Sequence, residues 1–265
     1  MSSSKTFFYA KNLNDIIYQQ NTIPNLQILG GASSFAEKEL PDKVLSVRDI
    51  PELKNIIKHE RYINFGSAVT LSEIEDLGNA NLPATIYDAI STIASPGIRN
   101  IATLGGNICF KGSLYASLLA LDAKLDFQKG DQITSELITR MDSLKDRGLL
   151  TKIRVPLEEW ELSVFKRLGP KNRLSKLSAS FVFLANSQKN QISNLRIAWS
   201  SSFFFRDMEL ENKLIGAHLP LSQTTISTFL LEAEGAFNAS LPSNSPRIFK
   251  KQFWNLVKYS LEQLT

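Results

Sequence analysis

Two pairs of consecutive glycines, each preceded by a short apolar run and accompanied by small polar residues, are the segments of this chain best suited to binding an anion. Their residues are Gly30, Gly31, Ala32, Ser33 and Ser34 in the first segment, and Thr103, Gly105, Gly106 and Asn107 in the second. Glycine permits positive φ angles and lets a ligand approach the main chain closely. Because successive N–H groups in such a turn form an anion-binding concavity, the two segments together predict a site that holds a diphosphate from two sides. Each pair taken alone is more typical of a structural turn.

The chain lacks the sequence motifs of several classes of binding and catalytic site. The chain contains neither a Gly-x-Gly-x-x-Gly motif nor a Gly-x-x-x-x-Gly-Lys-Ser/Thr motif, so a Rossmann dinucleotide site and a P-loop are not indicated. His59 and His218 have no second metal ligand near them in the sequence, and we expect neither a metal site nor a catalytic side chain. Cys109 is expected to be a small buried apolar residue, and one cysteine is too few for an iron–sulfur cluster within the chain.

Composition limits the class of protein further. The 265 residues are 43% hydrophobic and 21% charged, which is ordinary for a folded protein, and the net charge of +4 is small for a nucleic-acid-binding chain. The basic run at residues 166–176 is interpreted as a solvated loop, with contact between one of its cations and a phosphate as the alternative. No apolar run approaches the ~20 residues of a membrane span, and the first residues lack the pattern of a signal peptide. A single cysteine is typical of a reducing compartment, so we expect the cytoplasm.

Hydrophobic spacing predicts the elements that position the first glycine pair. Residues 13–21 have the spacing of a helix, and residues 26–35 indicate a short strand that enters a tight turn at the glycines. Farther along, Thr70 and Glu73 have the spacing of a capping box, which predicts the start of a helix.

The second glycine pair lies in residues 94–108, which have neither a helical nor a strand period, so a loop is predicted there. A helix is predicted before it, over residues 82–95, and Pro96 and Gly97 should end that helix. After the loop, a buried helix should run into a strand at residues 124–127, and residues 135–144 are predicted to be helical.

The hydrophobic pattern of the second half of the chain predicts an antiparallel sheet followed by helices. Residues 149–156 and 161–168 are strand candidates, two more strands follow, and helical periodicity returns over residues 222–265. The fold class is therefore α+β. The predicted domains are 1–57, 58–156 and 157–265.

Seven short segments occur in an order that is informative. They are LGGASSF, LSVRDIPELKNI, FGSAVTLSEIE, IASPGIRNIATLGGNI, LLALDAKL, LLTKIRVP and FKRL. Over residues 5 to about 180 this order resembles the flavoprotein subunit or domain of the molybdenum hydroxylase family, which includes xanthine dehydrogenase and aerobic carbon monoxide dehydrogenase. The fourth segment is the most specific, and the rest of the chain resembles the small C-terminal domain of that family in pattern only.

The resemblance implies a two-part FAD-binding domain of the vanillyl-alcohol-oxidase/PCMH type, with subdomains at 1–57 and 58–156, followed by a small C-terminal antiparallel sheet with helices. It implies that both glycine segments line the FAD diphosphate through main-chain N–H groups, with a contribution from Thr103. It also implies that Leu150 lies beside the isoalloxazine ring and that Lys166 lies near the ring or the phosphates.

The same resemblance implies an oxidoreductase subunit in a multi-subunit complex. A partner iron–sulfur subunit would deliver electrons to FAD, which would pass them to NAD+ or another acceptor, and a large partner would bind molybdopterin. Where the family has an aspartate after the second glycine pair, this chain reads CFKGSLYAS. That departure leaves open a degenerate family member that acts as a structural or assembly subunit without a functional flavin. A stand-alone flavin reductase is a third hypothesis.

Overall fold

The computed structural model describes residues 5–35, 39–143, 148–170 and 175–264. Strands and helices are numbered along the chain. The strands are β1 (Thr6–Phe8), β2 (Gln27–Leu29), β3 (Lys43–Ser46), β4 (Ile56–Lys58), β5 (Tyr62–Gly66), β6 (Lys124–Lys129), β7 (Gln132–Leu137), β8 (Leu149–Pro156), β9 (Leu162–Leu168), β10 (Ala179–Gln188), β11 (Gln191–Ser200) and β12 (Phe204–Phe205). The α-helices are α1 (Leu13–Thr22), α2 (Leu71–Glu75), α3 (Ala84–Ser91), α4 (Pro96–Arg99), α5 (Leu104–Cys109), α6 (Tyr115–Ala120), α7 (Met208–Asn212), α8 (Gln223–Ser240) and α9 (Ile248–Glu262).

The chain divides into two compact units that are not contiguous in sequence. The first unit contains Met1–Leu82, Ala94–Phe110 and Asp122–Leu157. The second contains Pro83–Ile93, Lys111–Leu121 and Glu158–Thr265. Two short segments from the first half of the chain, which carry α3 and α6, are therefore part of the second unit.

A small parallel sheet carries the first glycine pair. Its strand order is β1-β3-β2, and Leu29 at the end of β2 pairs with Ser46 of β3. The helix α1 packs on it as predicted, beginning after Asn12, whose side chain accepts a hydrogen bond from the Asp15 amide at 2.9 Å. The buried apolar side chains of this region are Ile16, Leu45, Val47, Ile50, Leu53, Ala68 and Leu149.

A five-stranded antiparallel sheet completes the first unit, in the order β4-β5-β8-β6-β7. The prediction of a helix over residues 135–144 is wrong, because β7 covers Gln132–Leu137 and pairs with β6, and a 3-10 helix covers Ile138–Ser143. Leu144 lies outside the described residues. The strand β7 is at the edge of the sheet with mostly exposed side chains, so main-chain pairing holds it without the alternating apolar residues that would reveal a strand.

The second unit is built on a four-stranded antiparallel sheet in the order β12-β11-β10-β9. The long helices α8 and α9 contribute buried aromatic rings to its core, and the rings of Phe237 and Phe253 stack with centroids 4.0 Å apart. Trp199 of β11 meets Phe237 edge to face at 5.4 Å. The α+β class with a C-terminal antiparallel sheet and helices is confirmed. Within the described part of the chain, no helix is long and apolar enough to cross a membrane.

Candidate functional site

The first glycine segment is an open turn at the end of a strand. After β2 ends at Leu29, the main chain turns through Gly30 and Gly31 to Ala32, which has a positive φ of 54°. A short 3-10 helix, Ser33–Phe35, follows directly. A left-handed residue beside a helical turn is a main-chain geometry that can form an anion-binding concavity.

The amides of this first segment are available for a ligand. Among the described residues, none of the amides of residues 30–34 donates a hydrogen bond to a protein acceptor, whereas the Phe35 amide donates to the Ala32 carbonyl at 2.9 Å. All five residues of this segment are partly exposed. A main chain with several unpaired N–H groups in a row attracts an acceptor with many lone pairs, such as a phosphate oxygen.

The second glycine segment is helical rather than the loop predicted from its lack of periodicity. The preceding helix α3 ends at Ser91, and Pro96 begins the short helix α4 instead of only stopping α3. Proline is well suited to that first position, because the N–H it lacks would have no helical partner there. The glycines then lie in the first turn of α5.

The amides of the second segment are already bonded within the protein. The Gly105 amide donates to the Ser67 carbonyl at 2.9 Å, and the Asn107 amide donates to the Thr103 carbonyl at 2.9 Å. Thr103 is the N-cap of α5, and its Oγ1 accepts from the Gly106 amide at 3.1 Å. The prediction that these N–H groups bind a diphosphate stays a prediction. It requires each N–H group either to donate to the phosphate and its protein acceptor at once or to give up that acceptor.

Packing explains one glycine of the second segment better than the other. A Cβ on Gly105 would lie 2.8 Å from the Ser67 carbonyl oxygen and 2.9 Å from the Ser67 Cβ, so a larger residue would force α5 away from this neighbour. A Cβ on Gly106 would meet only Thr103 Oγ1, at 3.0 Å. Packing therefore restricts a side chain at Gly106 less than one at Gly105.

The structure brings the two glycine segments together. A Cβ on Gly30 would overlap Thr103 Oγ1, and a Cβ on Gly31 would overlap the Ile101 carbonyl oxygen. The Thr103 hydroxyl and the Ile101 carbonyl therefore support the first turn from one side, which requires glycine at both positions. Sequence patterns did not single out Ile101 or Ser67, because both act through main-chain carbonyls that no side-chain pattern reveals.

An ion pair holds the chain just before this contact. Arg99 Nε donates to Glu75 Oε2 at 2.8 Å, and Arg99 Nη1 donates to the Ala94 carbonyl at 3.3 Å. The side chains are 11% and 27% exposed. The predicted capping box of Thr70 and Glu73 is confirmed at the start of α2, the helix that carries Glu75.

The residues at the end of α5 differ from expectation. Cys109 is exposed, so the prediction of a buried apolar cysteine is wrong. Protein atoms around the sulfur nevertheless remove enough water to raise the pKa of the Cys109 thiol. Next to it, the half-exposed ring of Phe110 meets the Phe35 ring edge to face, with centroids 5.6 Å apart. An aromatic contact therefore also joins the residue after the first glycine segment to the end of the helix that contains the second.

The two remaining predicted cofactor residues belong to different units. Leu150 is buried in β8 of the first unit and pairs with Phe127 of β6. Lys166 is in β9 of the second unit, where its Nζ lies 5.8 Å from the centroid of the Tyr259 ring. Burial raises the pKa of Asp88 in the same unit, and the charge of Lys166 opposes that effect. Their roles toward a cofactor stay predictions.

The site offers main-chain hydrogen-bond donors for binding a ligand rather than a group of metal-binding side chains. No group of three or more histidine, cysteine, aspartate or glutamate residues in the described ranges is arranged to hold a metal ion. The first segment offers consecutive N–H donors without an acidic residue in its own sequence. These residues fit a dinucleotide diphosphate, because its oxygens accept hydrogen bonds and its bulk needs glycine-lined main chain.

Comparison with known sequences finds a family match over more than half of the chain. Residues 3–158 match the family described as the FAD binding domain in molybdopterin dehydrogenase. Indole-3-acetaldehyde oxidase of Zea mays is 33% identical over 141 residues, which are 49% of this chain and 10% of that protein. The nicotinate dehydrogenase FAD-subunit of Eubacterium barkeri is 31% identical over 191 residues, 64% of each chain. The matched part of the chain thus spans about a tenth of the length of this plant oxidase.

Comparison with solved structures concerns the fold alone. A chain of the carbon monoxide dehydrogenase from Hydrogenophaga pseudoflava superposes with a TM-score of 0.85 at 16% identity, covering 98% of this chain and 97% of that one. A chain of quinoline 2-oxidoreductase from Pseudomonas putida 86 superposes with a TM-score of 0.77 at 18% identity, covering 98% and 95%.

Proposed function

Since this chain belongs to the family of FAD-binding domains of molybdopterin dehydrogenases, we propose that it is the flavin subunit of a molybdenum hydroxylase complex of the xanthine dehydrogenase type. In that complex it stands between the iron–sulfur clusters of one partner and a final electron acceptor, which is NAD+ or another oxidant. A second, large partner binds molybdopterin and the substrate that is oxidised.

The single observation that carries this proposal is the row of unpaired amides at residues 30–34. These amides hold the FAD diphosphate, and the glycines allow its oxygens to approach the main chain. The second segment forms the wall against which the diphosphate lies, through Thr103, Gly105, Gly106 and Asn107. The close packing of Gly30 on Thr103 and of Gly31 on Ile101 holds the amides of the first segment beside the second segment.

When bound, FAD supplies the redox centre that exchanges electrons with partner groups. The chain's own residues bind, orient and shield it. Leu150 presents an apolar side chain to the isoalloxazine, and Lys166 supplies a positive charge near the ring or the phosphates. None of these side chains is required to transfer a proton, so no catalytic residue is assigned.

The partners are proposed from what this chain lacks. One cysteine cannot ligate an iron–sulfur cluster, so electrons that reach the flavin come from another chain or another domain. The relative in Eubacterium barkeri is itself described as an FAD-subunit, which supports a separate flavin chain in a larger enzyme. The single cysteine also supports a cytoplasmic location.

Titration of the purified chain with FAD tests the proposal. We expect a yellow protein that binds about one FAD per chain, with a flavin absorption spectrum altered relative to the free cofactor. FMN and riboflavin are matched controls, because they contain the same ring but lack the diphosphate. Both should bind at least about tenfold more weakly, corresponding to about 1.4 kcal/mol.

Two results would contradict the proposal. A chain that takes up no FAD would support the structural or assembly subunit without flavin. A chain that binds FMN as tightly as FAD would show that the diphosphate is not the anchor, and it would remove the assigned role of residues 30–34.

A further inference from the structure

The second glycine segment is tethered at both ends to the other unit of the protein. Ala94–Phe110 folds with the first unit, whereas the chain immediately before it, Pro83–Ile93, and immediately after it, Lys111–Leu121, folds with the second. The 17 residues from 94 to 110 therefore leave the second unit and return to it. The helix α3 lies in the segment before this excursion, and α6 lies in the segment after it.

Within the second unit, α3 and α6 are joined directly. Ser117 Oγ of α6 donates a hydrogen bond to the Thr85 carbonyl of α3 at 2.9 Å. Ser117 is 0% exposed and Thr85 is 1% exposed, so water does not compete for this bond. This bond fastens the two chain segments that lead into and out of the glycine segment.

Two arginines of the second unit hold the downstream tether at separate points. Arg206 Nη1 donates to the Leu119 carbonyl at 2.7 Å, and Arg206 is itself paired with Glu211 at 3.0 Å. Both side chains of that pair are 2% exposed. Nearer to the glycine segment, Arg167 Nε donates to Ser113 Oγ at 3.2 Å.

We propose that the hydrogen bond between α3 and α6 helps to position the second glycine segment, which lies between these helices in the chain, and that Ser117 is a positioning residue for FAD binding. The hydrogen bond between Ser117 and Thr85 closes a chain loop that contains this excursion, and closing a loop reduces the number of conformations it can adopt. The Ile101 carbonyl and Thr103, which support Gly31 and Gly30, lie inside this excursion. The inference rests on the proposed function of the glycine segments, but its structural part concerns the protein without cofactor.

Replacement of Ser117 by alanine tests the positioning role in the full chain. Ser117→Ala removes the hydrogen bond to the Thr85 carbonyl without adding volume. Hydrogen exchange of the amides of residues 104–107, measured without FAD, should accelerate by about two- to tenfold, the factor expected for one lost hydrogen bond. The Kd for FAD, measured by flavin fluorescence, should rise by a similar factor.

Ser260→Ala is the matched control. Ser260 is also 0% exposed, lies in the same unit, and donates through Oγ to a backbone carbonyl, that of Leu256, at 2.8 Å. Its bond lies within α9 and does not touch α3 or α6. This variant should leave both the exchange of residues 104–107 and the Kd for FAD within about twofold of the original protein.

Each outcome decides the question. Acceleration by Ser117→Ala alone supports the inference, whereas equal exchange in both variants and the original protein overturns it. If Ser117→Ala does not fold, Ser113→Ala provides the same test, because it removes only the acceptor of Arg167 on the downstream tether. If the original chain does not bind FAD, the proposed function fails, while the exchange experiment still reports on the tether.

Discussion

The two glycine segments have similar composition and use their main chains in opposite ways. At residues 30–34, one side of the turn rests on Thr103 and Ile101, and the amides have no protein acceptor in the described chain. At residues 104–107, the amides donate hydrogen bonds to Val69, Ser67 and Thr103, and the main chain forms a helical turn. One segment is a set of donors, and the other is a fixed support.

The difference shows that a Gly-Gly pair has no single meaning. Gly105 is required because the Ser67 carbonyl leaves no room for a side chain, which is a packing reason. Gly31 is required by packing against Ile101, but its amide has no protein acceptor in the described chain. The neighbours of each glycine, and not the glycine itself, decide whether the turn binds a ligand.

The largest expected effect comes from breaking the contact between the segments. In Gly31→Val, the new side chain would overlap the Ile101 carbonyl, which is main chain and cannot rotate away. We expect a loss of about 2–3 kcal/mol in the free energy of unfolding, together with loss of FAD binding. Thermal and chemical unfolding, followed by FAD titration, measure both effects.

Gly235→Ala is the control for this substitution. Gly235 lies inside α8, and no atom apart from the adjacent main chain of the helix and its neighbouring residues lies within 4 Å of the position that its Cβ would occupy. Alanine there should raise the free energy of unfolding by up to about 1 kcal/mol, because glycine is a poor helix former. FAD binding should not change. Normal FAD affinity and stability in Gly31→Val would refute the proposed support by Ile101.

An intermediate effect is expected when a negative charge is placed on each segment in turn. Ser33→Asp puts a carboxylate at the start of a helical turn, where stability should change by less than about 0.5 kcal/mol. Repulsion of the diphosphate should raise the Kd for FAD at least about tenfold. Asn107→Asp, also in a first helical turn, should raise it less than about threefold.

Titrations of both variants at low and high salt sharpen this comparison, since the charge effect should weaken as salt is added. Equal losses of affinity in the two variants would mean that the second segment binds the diphosphate as directly as the first. The division into donors and support would then be wrong.

The smallest effect is expected from removing the cap of the supporting helix. Thr103→Val keeps the shape of a side chain that is 2% exposed but removes the oxygen that accepts from the Gly106 amide. We expect a loss of about 1 kcal/mol in the free energy of unfolding and a rise of a few fold in the Kd for FAD. Thr103→Ser keeps the oxygen and should restore most of the affinity. An unchanged Kd in Thr103→Val would separate the helix cap from the binding site.

Features that depend on neighbouring residues were predicted correctly. The capping box of Thr70 and Glu73 is confirmed, because both hydrogen bonds form within one turn of helix. The strand at residues 149–156 is confirmed as β8, since its alternating apolar residues face a buried side of the sheet. The first helix and the turn at the end of β2 were predicted for similar reasons.

Features that depend on residues distant in the sequence were not predicted correctly. The strand β7 carries Thr134 and Ser135 on an edge, and only its pairing with β6 makes it a strand. The helical turn at Gly105 forms because Thr103 caps it and Ser67 accepts its amide, although glycine disfavours helices. The exposure of Cys109 could not be predicted from the apolar residue beside it.

The sequence by itself indicated two glycine segments as candidate anion sites, an α+β pattern and too few cysteines for an iron–sulfur cluster within the chain. It also carried the motifs of the flavin-binding family, which the match over residues 3–158 confirms. Only the tertiary structure decided which turn keeps its amides unpaired. A main-chain N–H group is the same in every sequence, and whether it is free for a ligand depends on which carbonyl or hydroxyl the fold places against it.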